Sequence, residues 1–421
     1  MVRTHALMES VSANLQEFLQ PIGANLTKPQ KKFLREGLLG LLRARRPVVT
    51  RMARKLPSRR GKFLSRLDRL ETNLNRQSDL EAKIKAALPD LWLPLICKDT
   101  PIILDLSDLA KPLAKKMDYL AMVRDGSTGK LVNGYWLIEI YASIWPKNPV
   151  PILLEPFSHE QPFSRGQNPI IIEAVRKIFE LTDGRGVLVI DRGGDAIRLL
   201  ADWLDHDYRL VVRLRGDRDL MRFYGVSGGS LQTVQILREG QWVPVRARLL
   251  AEQTPTPYRG WRTVKRKGKP KLRFSQIGWV KVRLPGRKET LTMVVARTPG
   301  TDAPFMLLTN LPVESAEDAR RVLRYYARRW ECEEAIRFLK SEVNLERIRT
   351  FNWTAICRLV LLAVLVMLYL TWLLEKQPNL ADRMIAFGQP LPDSPDFLLY
   401  RLLTGLTEAI NACNYLRRDL L

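Results

Sequence analysis

Apolar residues recur every three or four positions through the first ninety or so residues, without strict alternation, and so predict helices. Strand-like runs begin at "PIILDLSDL" (101–109) and continue as "GKLVNGYWLIEIYAS" (129–143) and "PVPILLEPFS" (149–158), rich in aromatic and branched residues. Helical spacing returns in "IIIEAVRKIFELT" (170–182), followed by a strand in "GVLVIDRGGD" (186–195). "DAIRLLADWLDHD" then reads as a helix and "YRLVVRLRGD" (208–217) as a strand. Three strands, then helix, strand, helix and strand, predict an α/β fold with a mixed sheet and flanking helices. Short strands with Gly and Pro breaks fill the stretch to about 304, and "FMLLTNL" (305–311) resumes the core. One helix is expected through "YYARRWECEEAIRFLK" (325–340). The expected division is therefore an all-helical domain at 1–95, a first part of an α/β core at 96–220, a β-rich insertion at 221–304, and a second core part with C-terminal helices at 305–421. "LVLLAVLVMLYLTWLL" (359–374) falls short of the roughly 18 apolar residues of a spanning helix. With Arg358 closing one end, a buried core helix is expected there.

Charge narrows the partner. The chain has 68 Lys and Arg against 44 Asp and Glu, a net charge of +24 and a pI near 10.1, which points to a polyanion, nucleic acid before membrane. From Lys28 to Arg69 the basic residues interleave with Leu and Val, so the helices can pack while presenting a cationic face; Lys31, Lys32, Arg45 and Arg46 are DNA-contact candidates. "YRGWRTVKRKGKPKLRF" (258–274) mixes cations with aromatic rings, which suits phosphate contact and base stacking by Trp261, Arg262, Lys265 and Arg266. A solvated hairpin tip explains the same cluster equally well. Cys97, Cys332, Cys357 and Cys413 form no CxxC pair, which argues against zinc and against a disulfide framework and suits a reducing cytoplasm. The first residues lack an apolar h-region, so no secretory signal is expected. None of the three histidines (His5, His159, His206) sits in a nucleophile or metal motif, and chemistry must rest on carboxylates.

At roughly 100° per residue, Arg329, Glu333 and Lys340 fall on one side with Tyr326, and Arg337 lies close by. A salt-bridged surface helix produces some of this pattern, though such faces usually alternate signs at i,i+4. Asp105 ends the apolar run "IILD" and Asp191 ends "VLVID", positions where open α/β sheets place their sites. Two such strands and a helix bearing Glu333 could bring three carboxylates together, a hard-oxygen donor set suited to Mg²⁺ or Mn²⁺. Either aspartate could instead be an ordinary turn or cap residue, and Asp108 competes with Asp105 for the first position. "GVLVID" also looks like a Walker B strand, but "GSTGK" (126–130) lacks the Walker A spacing and reads as a hairpin turn.

Tyr326, Arg329, Glu333 and Lys340 fit Y-x2-R-x3-E-x6-K without a gap, a signature that resembles the bacterial DDE transposases of the insertion-sequence-four family. "LDLSD" at Asp105 is similar to that family's first acid motif, and "IDRGGD" at Asp191 to its second; the resemblance covers roughly residues 95–375. It implies a ribonuclease-H-like core in which Asp105, Asp191 and Glu333 bind two divalent ions, Mg²⁺ or Mn²⁺. The implied activity is cut-and-paste transposition: hydrolysis at the element ends, then attack by the freed 3′-hydroxyl on target DNA. Tyr326, Arg329, Arg337 and Lys340 would hold phosphates, and Trp261 or Trp279 could stack on an extruded base. The implied partners are double-stranded DNA and a second copy of the chain, in a bacterial cytoplasm at the nucleoid. No recognition helix of a helix-turn-helix is legible near the N-terminus. A divalent-metal nuclease without strand transfer would show the same triad, and a transposase-derived non-catalytic DNA-binding protein would keep the basic faces.

Overall fold

The structure, a computed structural model, describes residues 2–56, 62–145, 148–162, 164–224, 241–266, 269–388 and 397–416. In chain order, α1 (Val2–Gly23), α2 (Lys28–Ala44), α3 (Val49–Lys55), α4 (Phe63–Asn75), α5 (Leu80–Ala87) and α6 (Pro89–Trp92) come first. Then follow β1 (Pro101–Ala110), β2 (Ala121–Arg124), β3 (Leu131–Trp145), β4 (Asn148–Phe157), α7 (Gln167–Leu181), β5 (Val187–Ile190), α8 (Ile197–Asp205) and β6 (Leu210–Arg213). The remainder comprises β7 (Asp219–Tyr224), β8 (Gln241–Arg246), α9 (Ala247–Gln253), β9 (Tyr258–Arg266), β10 (Lys269–Arg283), β11 (Leu291–Arg297), β12 (Phe305–Thr309), α10 (Ala316–Ala327), α11 (Arg329–Ser341), α12 (Trp353–Lys376), α13 (Pro378–Phe387) and α14 (Leu399–Leu416). The fold is mixed α/β, with a large mixed sheet flanked by helices. Two compact units are present: residues 1–97, 105–170 and 331–421 form the first, and 98–104 with 171–330 the second.

The first unit is built on α12. Its centre, Leu359 to Leu370, is buried throughout, and 89% of its most apolar window lies inside the structure. It is long and apolar enough to cross a membrane by length and composition alone, yet here it is a buried core helix, as expected. Phe18 and Tyr369 pack ring to ring at 5.2 Å, and α12 also lies along α2 and β4. Arg358, 3% exposed, shows why the helix belongs in a protein core: its guanidinium donates to the carbonyls of Asn73, Leu74, Arg76 and Ser78, acceptors in the last turn of α4 and just beyond it. The α2 helix starts on a capping box, Thr27 with Gln30, and buries Leu34, Leu38, Leu41 and Leu42 while Lys31 and Lys32 face solvent. In this unit β3 lies beside β1, and β2 and β4 pair antiparallel with β3. "GSTGK" forms the β2–β3 turn, with Gly129 at φ +71°, as the hairpin reading expected. The four-residue β2 is an element that the apolar pattern did not reveal.

In the second unit the order is β1-β5-β6-β12-β11-β10-β7-β8, with β9 on β10. β5 is parallel to β1 and to β6, and "VLVI" is wholly buried, the continuous apolar run of a strand covered on both faces. β12 returns antiparallel on β6, and the strands after β6 extend that same sheet. The parallel β1–β5 ladder pairs Pro101 with Val187 through Leu104 with Ile190.

Candidate active site

Asp191 is the first residue beyond β5. Its Oδ1 accepts the Gly193 N–H at 2.7 Å, which caps the tight turn 192–194, while Oδ2 accepts no hydrogen bond from a described residue. Gly194 makes that turn possible, because a Cβ there would collide with the side chain of Ile190. The other acid of "DRGGD", Asp195, is spent on structure: its side chain is buried and held by Arg218 at 2.6 Å and the Arg215 N–H at 2.7 Å. Burial pushes the Asp195 carboxyl up, and the Arg215 and Arg218 contacts oppose this. Asp105 follows Leu104 as Asp191 follows Ile190, and Leu104↔Ile190 is the last pair of the parallel ladder. Asp191 therefore stands just past the end of β5, whereas Asp105 lies within β1, which runs on to Ala110 and so does not end at the aspartate as the apolar run suggested.

In the first unit Asp105 is half-buried, and its Oδ1 accepts the Leu106 N–H at 2.9 Å. Glu139 of β3 stands near it, fully buried, with Oε2 accepting from the Tyr141 hydroxyl at 3.1 Å and Oε1 without a hydrogen-bond partner. Burial raises the Glu139 carboxyl well above the usual range, and the charge of Asp105 adds to the rise. Asp108, the competitor for the first position, is 3% exposed and receives Lys340 Nζ at 3.0 Å and the Gly126 N–H at 3.0 Å. Lys340 also meets Glu346 at 3.3 Å. Of the two aspartates, Asp108 is thus engaged by a lysine. Glu333 is half-buried on α11, and two residues earlier Glu331 accepts the Ser143 hydroxyl at 2.5 Å.

The stretch 325–340 is two helices and not one. The ladder breaks at Arg328, whose N–H is shared among the carbonyls of Arg324, Tyr325 and Tyr326 while its φ and ψ stay near helical values. Tyr326 therefore lies in the last turn of α10, while Arg329, Glu333, Arg337 and Lys340 lie on α11, so the single helical wheel holds for the last four alone. Tyr326 is 6% exposed, its hydroxyl lacks a hydrogen-bond partner, and its ring meets Phe305 edge-on at 5.2 Å. The Arg329 guanidinium lies 5.7 Å from the Tyr326 ring and 5.5 Å from that of Trp330. Arg337 pairs with Glu334.

Two cations of the second unit share one ring. Arg213, the last residue of β6, and Arg262 of β9 lie over Phe305 at 4.9 and 4.7 Å. Burial, and then the nearby Arg213, lowers the Arg262 guanidinium to about 10, and among the described residues the Thr298 hydroxyl at 2.5 Å is its side-chain hydrogen-bond partner. The Arg213 side chain has no hydrogen bond or ion pair with any described residue. Two guanidinium groups without an acid make a place where an anion is favoured. Arg213 went unmarked in the sequence, although a charge closing "RLVVR" is a readable signal. Glu139 was equally unmarked, though an acid within "YWLIEIY" is anomalous for a strand core.

The remaining DNA-contact candidates scatter. Lys31, Lys32 and Arg46 are exposed, whereas Arg45 occupies a left-handed helix end (φ 49°) and pairs with Glu342. Trp261 is 58% exposed on β9, edge-on to Phe274, and Trp279 stacks on Tyr258 at 5.3 Å. Lys265 and Arg266 lie on β9 with side chains outside the described residues, as does that of Cys413. Asp105 and Glu333 belong to the first unit and Asp191 to the second; among the described residues no group of three or more His, Cys, Asp or Glu side chains stands together as a metal site. The donors nevertheless suit a hard divalent cation: carboxyl oxygens only, with Asp191 Oδ2 accepting no hydrogen bond from a described residue and the buried Glu139 Oε1 without a hydrogen-bond partner.

Residues 164–369 match the family model of the transposase DDE domain. That match supports a DDE transposase, and it spans Asp191, Tyr326, Arg329, Glu333 and Lys340 but begins after Asp105. Among solved structures, the chain is similar to a cryo-EM structure of a piggyBac transposase synaptic complex with hairpin DNA, at 10% identity and a TM-score of 0.44, over 92% of this chain and 74% of that one. A likeness at that level leaves the DDE reading to rest on the domain match and on the side chains themselves. A comparison with curated proteins returned no match.

Proposed function

We propose that this protein is a DDE transposase that cleaves DNA at the ends of a mobile element and joins the freed 3′-hydroxyl to target DNA. The observation that carries the reading is the register Leu104↔Ile190, after which the next residue on each of two neighbouring parallel strands is an aspartate, Asp105 within β1 and Asp191 just past β5. The domain match over residues 164–369 supports it.

Asp105, Asp191 and Glu333 would hold two divalent ions, Mg²⁺ or Mn²⁺, which when bound supply charge stabilisation at the entering and leaving oxygens of a phosphodiester. The side chains around them do the positioning. Asp191 is fixed by its own turn through Gly193, and Asp105 through the Leu106 N–H, so both carboxylates are oriented before substrate arrives. Lys340 has three N–H donors; Asp108 and Glu346 take two, which fixes its head and leaves a third for a phosphate oxygen. The unpartnered Tyr326 hydroxyl and the guanidinium groups of Arg329, Arg213 and Arg262 are suited to grip further phosphate oxygens. Arg337, Lys31, Lys32, Arg45 and Arg46, with Lys265 and Arg266, would add contacts along the duplex backbone, and Trp261 or Trp279 would stack on an extruded base. Cutting two ends together calls for two copies of the chain on DNA, inside a bacterial cell.

The test supplies a double-stranded end carrying a free 3′-hydroxyl together with a target plasmid and Mg²⁺. Joined product supports the transposase; hydrolysis alone makes the protein a nuclease, and binding without either makes it a non-catalytic DNA-binding descendant.

A further inference from the structure

In the first unit, the loop after β1 and the loop after α11 enclose a groove of about 920 Å³, within the range of roughly 300–1,000 Å³ typical of ligand sites. Its two walls are tied together at both ends. At one end Lys111, 6% exposed, donates its ammonium to the carbonyls of Glu346 at 2.6 Å and Ile348 at 3.1 Å. At the other, the Asp118 N–H donates to the Phe351 carbonyl at 2.9 Å and the Asp118 carboxylate accepts the Trp353 N–H at 3.0 Å. The β1 side is anchored again through Asn133, which donates to the Ala114 carbonyl at 2.8 Å. The groove is therefore a preformed site and not a gap between loose loops.

Four exposed cations line it: Lys115, Lys116, Arg347 and Arg349. None of the four side chains has a hydrogen-bond or ion-pair partner among the described residues. The lining also holds two acids, Asp125, which accepts from Ser127 and Thr128 of its own turn, and Glu346, which pairs with Lys340, so the cations outnumber the acids. The groove thus carries an uncompensated positive charge. It also carries two exposed apolar side chains, Phe351 at 68% and Leu113 at 93%. An excess of cations beside an exposed ring is what an unpaired nucleic-acid strand requires: phosphates track the charge and a base stacks on the aromatic face.

We propose that this groove binds a single-stranded segment of DNA, with phosphates on Lys115, Lys116, Arg347 and Arg349 and one base against Phe351. The inference rests on the transposase reading for the identity of the polyanion. It adds a second strand-binding site, lined by none of the carboxylates assigned to catalysis.

The experiment measures binding of the full-length chain to a 12-nucleotide single strand containing 2-aminopurine, by fluorescence, across a salt series. Lys115→Glu/Arg349→Glu should weaken binding at least about tenfold and flatten the salt slope by about 1.4, since each phosphate neutralised on a single strand is worth about 0.7. Phe351→Ala should weaken it by about five- to hundredfold, the worth of one stacked base, and remove the 2-aminopurine quenching. All three positions are exposed, so unfolding is not expected, and Lys115→Arg/Arg349→Lys should restore binding. Unchanged affinity and slope in the reversed variant, or quenching that survives Phe351→Ala, would overturn the groove assignment. These readouts are independent of cleavage, so failure of the end-joining assay above leaves them interpretable.

Discussion

Replacing Lys340 by Met tests how the candidate site is held together. The ammonium of Lys340 sits 3.0 Å from Asp108, and the two side chains are 23% and 4% exposed. Without it, the Asp108 carboxylate keeps one donor, the Gly126 N–H at 3.0 Å, and its Oδ2 already has none. Leaving one partner of a buried pair uncompensated costs about 3–5 kcal/mol. At about 2–4 °C per kcal/mol for a unit of this size, the unfolding temperature should fall by about 6–20 °C. Asp108→Asn added to Lys340→Met should recover most of that loss, because Asn retains an acceptor for Gly126 and carries no charge. The assay is a double-mutant cycle by urea and thermal unfolding of the intact protein. A single-variant cost below about 1 kcal/mol, the figure for an exposed salt bridge, would refute the reasoning, as would a double variant no more stable than the single one.

Other expectations follow from individual groups. Glu333→Gln and Asp105→Asn should each abolish Mg²⁺-dependent end cleavage while leaving duplex binding within about twofold by gel shift; normal cleavage by either would remove that residue from the site. Lys111 is pulled down to about 7 from an ordinary 10.5, by burial first and then by Arg349 and Arg347 against the opposing Glu346. Between those values the unfolded chain binds more protons than the folded one, so stability rises with pH across the window and is lower beneath it. Lys111→Met should abolish that slope, and a stability difference from wild type that is flat between about pH 6 and pH 9 would count against it. Arg358→Met should cost at least about 3 kcal/mol by stranding the carbonyls in the last turn of α4 and just beyond it, and a urea midpoint shift worth less than about 1 kcal/mol would show that water replaces the guanidinium.

The strands that carry the aspartates were legible because "PIILD" and "GVLVID" are unbroken apolar runs, and only strands buried on both faces tolerate such runs. The α12 helix was legible for a similar reason, with Arg358 marking its end before its partners were visible. What stayed hidden depends on distant chain segments. Nothing near Lys340 in the sequence announces Asp108, 232 residues away. The same is true of Arg45, a basic-face residue that instead closes a helix against Glu342. The break at Arg328 costs only one interrupted turn, with dihedrals still near helical, and leaves no Gly or Pro to read. Glu139 could have been noticed as an acid in an apolar strand, but its neighbour Asp105 is set by the packing of β3 on β1. The four residues of β2 are too few for alternation to rise above a loop.

The central claim is that Asp105, Asp191 and Glu333 share divalent cations, and anomalous diffraction from Mn²⁺-soaked crystals of the protein bound to an element end tests it most directly. The account predicts manganese peaks bounded by oxygens of all three carboxylates beside the scissile phosphate. Peaks that leave Glu333 or Asp191 unliganded, or that lie on other side chains, would contradict it.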